Sequence, residues 1–394
     1  MGTGPDTGTA PSTGEDGSST AVVDSSGGSD DTTSTTGAAT ECGNGVVEPG
    51  EVCYGEPIYV DAGMAPGDVI LVDLDDDGVL DLVSANVGSA DHTVAFGVGD
   101  GTFGEGQSLL GGGGTRGVAA GDFDGDGNID LAGANQFTHY VALYFGEGEG
   151  AFSAQMPVGA GERPRQVRVA DLDGDDDIDI VALNEDSADV SVLLGDGTGA
   201  FAPSVESGVG PQPFGLEVAD VDGDRIPDVI TANEGENTVS VLYGNGDGTI
   251  ADEVRIEVAD GPRNVVARDV DGDGNTDLVA ACFDSGIVSV VPGDGAGGFA
   301  PYVPLPVGKA PYAVAVADMN SDGELDLVTV NNSSGEVSIL VAQEGDVPYA
   351  VEVPFSIGLN PLAVDVADLN DDTVPDMAIA AAGANVVTIL LSDP

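Results

Sequence analysis

Seven times in 394 residues an aspartate-rich nonapeptide returns at a nearly constant interval. Its second copy reads Asp122-Phe123-Asp124-Gly125-Asp126-Gly127-Asn128-Ile129-Asp130, and the leading aspartates are Asp73, Asp122, Asp171, Asp220, Asp269, Asp318 and Asp368. Five of the six intervals are 49 residues and the last is 50. A period of this length marks a repeat architecture, in which each unit buries its apolar faces against its neighbours, and it excludes one large irregular domain.

Within each copy, oxygen-bearing side chains stand at positions 1, 3, 5 and 9. They are Asp73, Asp75, Asp77 and Asp81 in the first loop and Asp122, Asp124, Asp126 and Asp130 in the second. Loops three and four carry Asp171, Asp173, Asp175, Asp179 and Asp220, Asp222, Asp224, Asp228. Loop five has Asp269, Asp271, Asp273 and Asp277, loop six Asp318, Asn320, Asp322 and Asp326, and loop seven Asp368, Asn370, Asp372 and Asp376. Oxygen ligands at this spacing suit a hard cation that takes six to eight oxygens, which points to calcium, up to one ion per repeat. Glycine at position 6 (Gly78, Gly127, Gly274, Gly323) permits the positive φ that folds the loop back on an ion.

An EF-hand opens in the same way but ends in Glu at position 12, between two helices. Position 12 here is Ala85, Ala134, Leu183, Ala232, Ala281, Val330 or Ala380, and position 9 leads into an apolar run. The EF-hand reading fails. Plain Asp/Gly turns are the bland alternative, but turns alone do not need four oxygen ligands in one register seven times. Position 6 is Asp176, Arg225 and Thr373 in loops three, four and seven. Thr disfavours positive φ, and loops four and seven also carry Pro227 and Pro375 at position 8; loops one, two, five and six are expected to bind best, and four and seven to be weak or empty.

Each repeat reads as four strands. In the third, Gln166–Ala170, Ile178–Leu183, Val190–Leu194 and Phe201–Glu206 are strand-like runs separated by turn residues. Four antiparallel strands per repeat, seven times over, predict an all-β, seven-bladed β-propeller. Nineteen residues before each leading Asp stands a large apolar residue, from Tyr54 through Tyr349. The chain ends where a last fourth strand would begin, so the segment from Tyr54 to Val60 is expected to supply it and close the ring.

These loops, with the glycine-rich signatures Phe96-Gly97-Val98-Gly99-Asp100-Gly101 and Leu194-Gly195-Asp196-Gly197, resemble FG-GAP/VCBS repeats over residues 54–394. The resemblance implies a calcium-binding propeller like that of integrin α-subunit amino-terminal domains. It says little of function, since such repeats occur in adhesins, lectin-like modules and domains attached to enzymes.

Residues 1–41 are Gly, Ser, Thr, Asp and Pro with little apolar content, and read as a disordered spacer. Residues 42–53 form a short segment bracketed by Cys42 and Cys53, a pair suited to one disulfide in an oxidising compartment. This segment resembles Cys-Gly-Asn-Gly modules of secreted myxobacterial proteins. Cys282 stands where most repeats have Asn and reads as a buried free thiol. The formal net charge of −61, with nine basic residues, excludes a nucleic-acid footprint and favours cations as partners. No apolar run is long enough to span a membrane. Together these features lead us to expect an extracellular or surface-tethered protein, with its export signal or lipid anchor not visible in this stretch.

Six residues before each leading Asp lie Gly67, Arg116, Arg165, Phe214, Arg263, Tyr312 and Leu362. Three of the nine basic residues thus recur at one position, on the face expected to lie opposite the acidic loops. They suit a rim able to hold a carboxylate, a sulfate or a sugar ring. Alternatively they neutralise local acids and pack their stems against the next blade. Arg168 and Glu217, three before their leading Asp in adjacent repeats, are expected to form an inter-blade pair.

His92 and His139 both fall in expected turns between strands two and three, with no nucleophile motif nearby. A binding or adhesion module is therefore expected rather than an enzyme, with a glycan slightly ahead of a protein as ligand. A propeller carbohydrate-active enzyme, such as a lyase, and a passive scaffold are the competing readings.

Overall fold

The computed structural model describes residues 1–2, 53–343, 349–350 and 355–392. The spacer and Cys42 lie outside these residues, while Cys53 is buried and is not a free thiol. Every element among the described residues is a β-strand, and the strands form seven antiparallel blades. Blade three is representative, with strands Pro164–Ala170, Asp179–Asn184, Asp189–Leu193 and Val205–Gly208 in sequential order. The fourth strand starts later than the sequence suggested. Phe201 instead forms an isolated bridge with Gly195, and Phe103, Ile250 and Phe299 close the same turn in blades one, four and five.

Burial follows strand position. The second strand is buried at all six residues in every blade, whereas the fourth is largely exposed. Runs such as Leu278-Val279-Ala280-Ala281-Cys282 fit this, because a strand covered on both faces has no polar side to show. The apolar core is correspondingly not one body but seven clusters, each shared by two adjacent blades. A single repeat leaves both faces uncovered, so its second strand is apolar on both sides only because a neighbour stands on each.

The ring closes as expected. Ile58–Asp61 pairs antiparallel with Val386–Leu390, Tyr54 bridges Ser392, and Gly55 N donates to the Leu391 carbonyl at 2.9 Å. The seven first strands touch in an unbroken circle around the axis. Side chains on these strands also clasp the next blade. Asp68 accepts from Val118 N, Gln166 from Leu216 N and Asn264 from Val314 N, at 3.2, 2.7 and 2.9 Å. Asp365 does the same across the closing seam, accepting from Leu71 N at 2.8 Å.

His92 departs from the turn location expected of it. It lies within the third strand of blade one, fully buried, with both ring nitrogens unpartnered. Its ring fills the space over Gly133 of the next blade, where a Cβ would come within 2.4 Å of it. His139 does sit in a turn, exposed, its Nδ1 accepting from Arg163 N at 2.8 Å. Cys282 is a buried free thiol, its pKa pushed up to about 11 by burial.

Candidate functional site

All seven acidic loops adopt one backbone. The position-1 carboxylate accepts the N–H of position 6, and the position-5 carboxylate accepts that of position 7, in every copy. Positive φ at position 6 holds even where the residue is Asp176, Arg225 or Thr373, at 70°, 72° and 76°. Thr373 N still reaches Asp368 at 2.8 Å, so the loop hydrogen bonds outweigh the cost of placing a β-branched residue there.

Position 9 does more than face an ion. Asp179 is fully buried and accepts Leu172 N and Gly195 N, both at 2.8 Å, with one oxygen each. Its six equivalents tie the same two turns together. Burial pushes six of these carboxyls up to about 6, partly opposed by the two N–H donors.

The geometry fits a cation. In loops one to four the carboxylates of positions 1, 3 and 9, and in loop five those of positions 1, 3 and 5, bring three oxygens within 4.8 Å of one another. Asp73 Oδ1, Asp75 Oδ1 and Asp173 Oδ1 are buried without a hydrogen-bond partner. Burial and then neighbouring carboxylates raise the pKa of Asp75 and of Asp173, the situation a bound dication would reverse. Loops six and seven carry Asn320 and Asn370 at position 3, and among the described residues they gather no such carboxylate trio; loop six thus departs from the strong site expected of it, and loop four, with its trio, from the weak one.

At the other end of the axis, the five residues expected at the rim meet at one mouth. Arg116, Arg165, Phe214, Arg263 and Tyr312, with Gly67 and Leu362, line a cavity of about 400 Å³ in the central channel. Tyr312 Oη accepts from Arg116 Nη2 at 2.6 Å and Arg165 Nη2 at 2.9 Å. Arg165 is 4% exposed, and its guanidinium lies 3.4 Å from the Phe214 ring centroid and 2.9 Å from Glu185. Arg263 stands 3.5 Å from the Phe283 centroid and 2.7 Å from Glu234. Burial lowers the pKa of Arg165 to about 10, helped by Arg116, so it stays protonated at neutral pH. Burial would raise the Tyr312 phenol, but Arg165, Arg116 and Arg263 outweigh it and hold the pKa below the usual range.

Glu185, Glu234 and Phe283 escaped sequence reasoning, although each stands 14 residues after its leading Asp. That fixed offset was the available signal. It places one residue per blade in the turn after the second strand, on the same face as the rim. The alternative role of the arginines is therefore real for Arg165 and Arg263, which are paired with acids. Deeper in the channel Glu217 lies 3.7 Å from Arg168 and 3.6 Å from Arg268, so the expected pair is a triad. Asp68 and Asp365 face the same cavity, with Asp68 pushed up to about 6 mainly by burial.

Six overlapping windows, residues 73–133, 122–182, 171–231, 220–280, 269–329 and 318–379, match the FG-GAP-like repeat model, and the chain belongs to that family. No curated protein matches it. Solved structures of similar fold include the crystal structure of BBS1N in complex with ARL6DN, soaked with mercury. It is 13% identical, with a TM-score of 0.61 over 87% of this chain and 97% of that one. An Agrocybe aegerita lectin, described as recognising non-reducing terminal N-acetylglucosamine, is 19% identical, with a TM-score of 0.52 over 74% and 80% of the two chains. At these identities the likeness is one of fold.

Proposed function

We propose that this protein is a calcium-stabilised binding module of the cell exterior that holds a glycan at the channel mouth opposite its metal loops. The observation that carries the reading is the convergence of Arg116, Arg165 and Arg263 with Phe214, Phe283 and Tyr312 in a chain with only nine basic residues. The loops supply a structural role for calcium. Each ion would tie the turn between the first and second strands of a blade, with no step of catalysis routed through it. Extracellular modules bind calcium at roughly 10⁻⁴–10⁻³ M, which suits environmental concentrations. Of the structures similar in fold, one is a lectin and one is bound to a protein, so both uses are compatible with such a ring.

The test is retention on immobilised glycans in calcium buffer, alongside turnover assays on the same polysaccharides. Retention without turnover, lost on replacing Arg116, Arg165 and Arg263 by Ala, supports the reading. Turnover would establish the competing enzyme. A protein ligand is the second reading, favoured by Met64, Phe137 and Leu359, which are 60%, 65% and 69% exposed on blades one, two and seven. Absence of retention on every glycan would favour it.

A further inference from the structure

The mouth holds several hydrogen-bond donors to spare. Tyr312 Oη already accepts two N–H groups, which occupies both lone pairs, so its own O–H proton is free to be given away. Arg116 has no ion pair among the described residues, and Arg263 Nε is buried without a partner. The carboxylates nearby already hold arginines, Glu185 both Arg163 and Arg165 and Glu234 Arg263 through one oxygen. Arg163 is shared by Glu185 and Asp186, so four guanidiniums stand against three carboxylates and leave one positive charge, at Arg116. Such a place suits an acceptor-only group of a single negative charge, which describes a carboxylate and not a phosphate dianion.

One layer further in, the chemistry changes. Gln166 and Asn264 spend their amide oxygens on the next blade, and both residues line the cavity. Asp68, at the same strand position, accepts Val69 N and Val118 N with one oxygen each, and Glu217, two positions further along its strand, is held by Arg168 and Arg268. Amides beside carboxylates that keep a second lone pair on each oxygen match hydroxyl groups, which both give and accept. A glutamate or aspartate side chain of a polypeptide would place a bare methylene stem there and leave these polar groups unpaired, at a cost in affinity. The cavity of about 400 Å³ has room for a terminal sugar residue.

We infer that the mouth receives the carboxylate of one terminal uronic-acid residue, with the sugar hydroxyls directed onto the Gln166 and Asn264 layer. This rests on the glycan reading above and narrows it.

The experiment is calorimetric titration of the full chain in calcium buffer with methyl glucuronide and methyl galacturonide. Methyl glucoside, N-acetylglutamate and sulfate are run beside them. At least one uronide should bind about tenfold or more tighter than the glucoside, since a charge-assisted contact to Arg116 is what distinguishes them. Arg116→Gln should remove that preference, and Tyr312→Phe, which keeps the ring and deletes the hydroxyl that donates outward and gathers Arg116 and Arg165, should weaken uronide binding several-fold. Equal binding of glucoside and uronide would overturn the inference while leaving the glycan reading intact. N-acetylglutamate or sulfate binding as tightly as the uronide would overturn it in favour of a general anion site. Uronide binding indifferent to both substitutions would place the ligand elsewhere, and no uronide binding by the intact chain would end the inference outright. Failure of every immobilised glycan to retain the chain would end both readings.

Discussion

Removing calcium should lower the unfolding midpoint of the ring by an amount that can be worked out from its sites. At 10 mM calcium and a dissociation constant of about 1 mM, one site stabilises the native state by about 1.4 kcal/mol. The five loops that gather a carboxylate trio give about 7 kcal/mol, and all seven would give about 10. A ring of roughly 340 residues has an unfolding entropy near 0.7 kcal/mol/K, so the midpoint should rise by about 10–14 °C. Differential scanning calorimetry in EDTA and in 10 mM calcium reads this directly. Asp122→Asn with Asp124→Asn should delete one site, lower the count of bound metal by one and forfeit about 2 °C of the rise. The carboxylate trio around Asp122, Asp124 and Asp130 makes that the site to choose. The same midpoint in EDTA and in calcium, with no metal bound, would refute the reasoning and reduce the loops to turns held by their own hydrogen bonds.

Thr373→Gly should stabilise the metal-free ring by about 1 kcal/mol, because it relieves a β-branched residue held at φ 76°; equal or lower stability in urea titration would contradict this. Gly117→Ala should cost about 1–3 kcal/mol, since its Cβ would lie 2.8 Å from the Arg165 carbonyl and Gln166 Cα of the next blade, measured by the same titration. His92 is buried neutral, with burial lowering its pKa from 6.5 to about 4. The unfolded chain therefore binds the proton first, and stability is lost as pH falls from 6.5 towards 4, by at most roughly 3 kcal/mol. His92→Leu should remove that part of the acid slope, and superimposable pH profiles for the two proteins would refute it.

Much of this protein is written in local pattern. The period of 49 residues, the oxygen ligands at positions 1, 3, 5 and 9, and four strand-like runs per repeat determine blade, loop and ring, because each depends on residues close in sequence. Even the closing strand was legible, as an orphan fourth strand looking for a blade. Register between blades was not. His92 looked like a turn residue until the next blade's Gly133 opened a space for its ring. Position 9 looked like a metal ligand alone, yet the Asp179 carboxylate also joins its own loop to a turn 16 residues further on. At the mouth, fixed offsets brought five rim residues into view, but only the folded ring shows Tyr312 spending both lone pairs on arginines 147 and 196 residues away. Sequence periodicity specifies what each blade is. What the blades do to one another is decided by closure of the ring, because only then do side chains distant along the chain share one buried space and compete for the same hydrogen bonds.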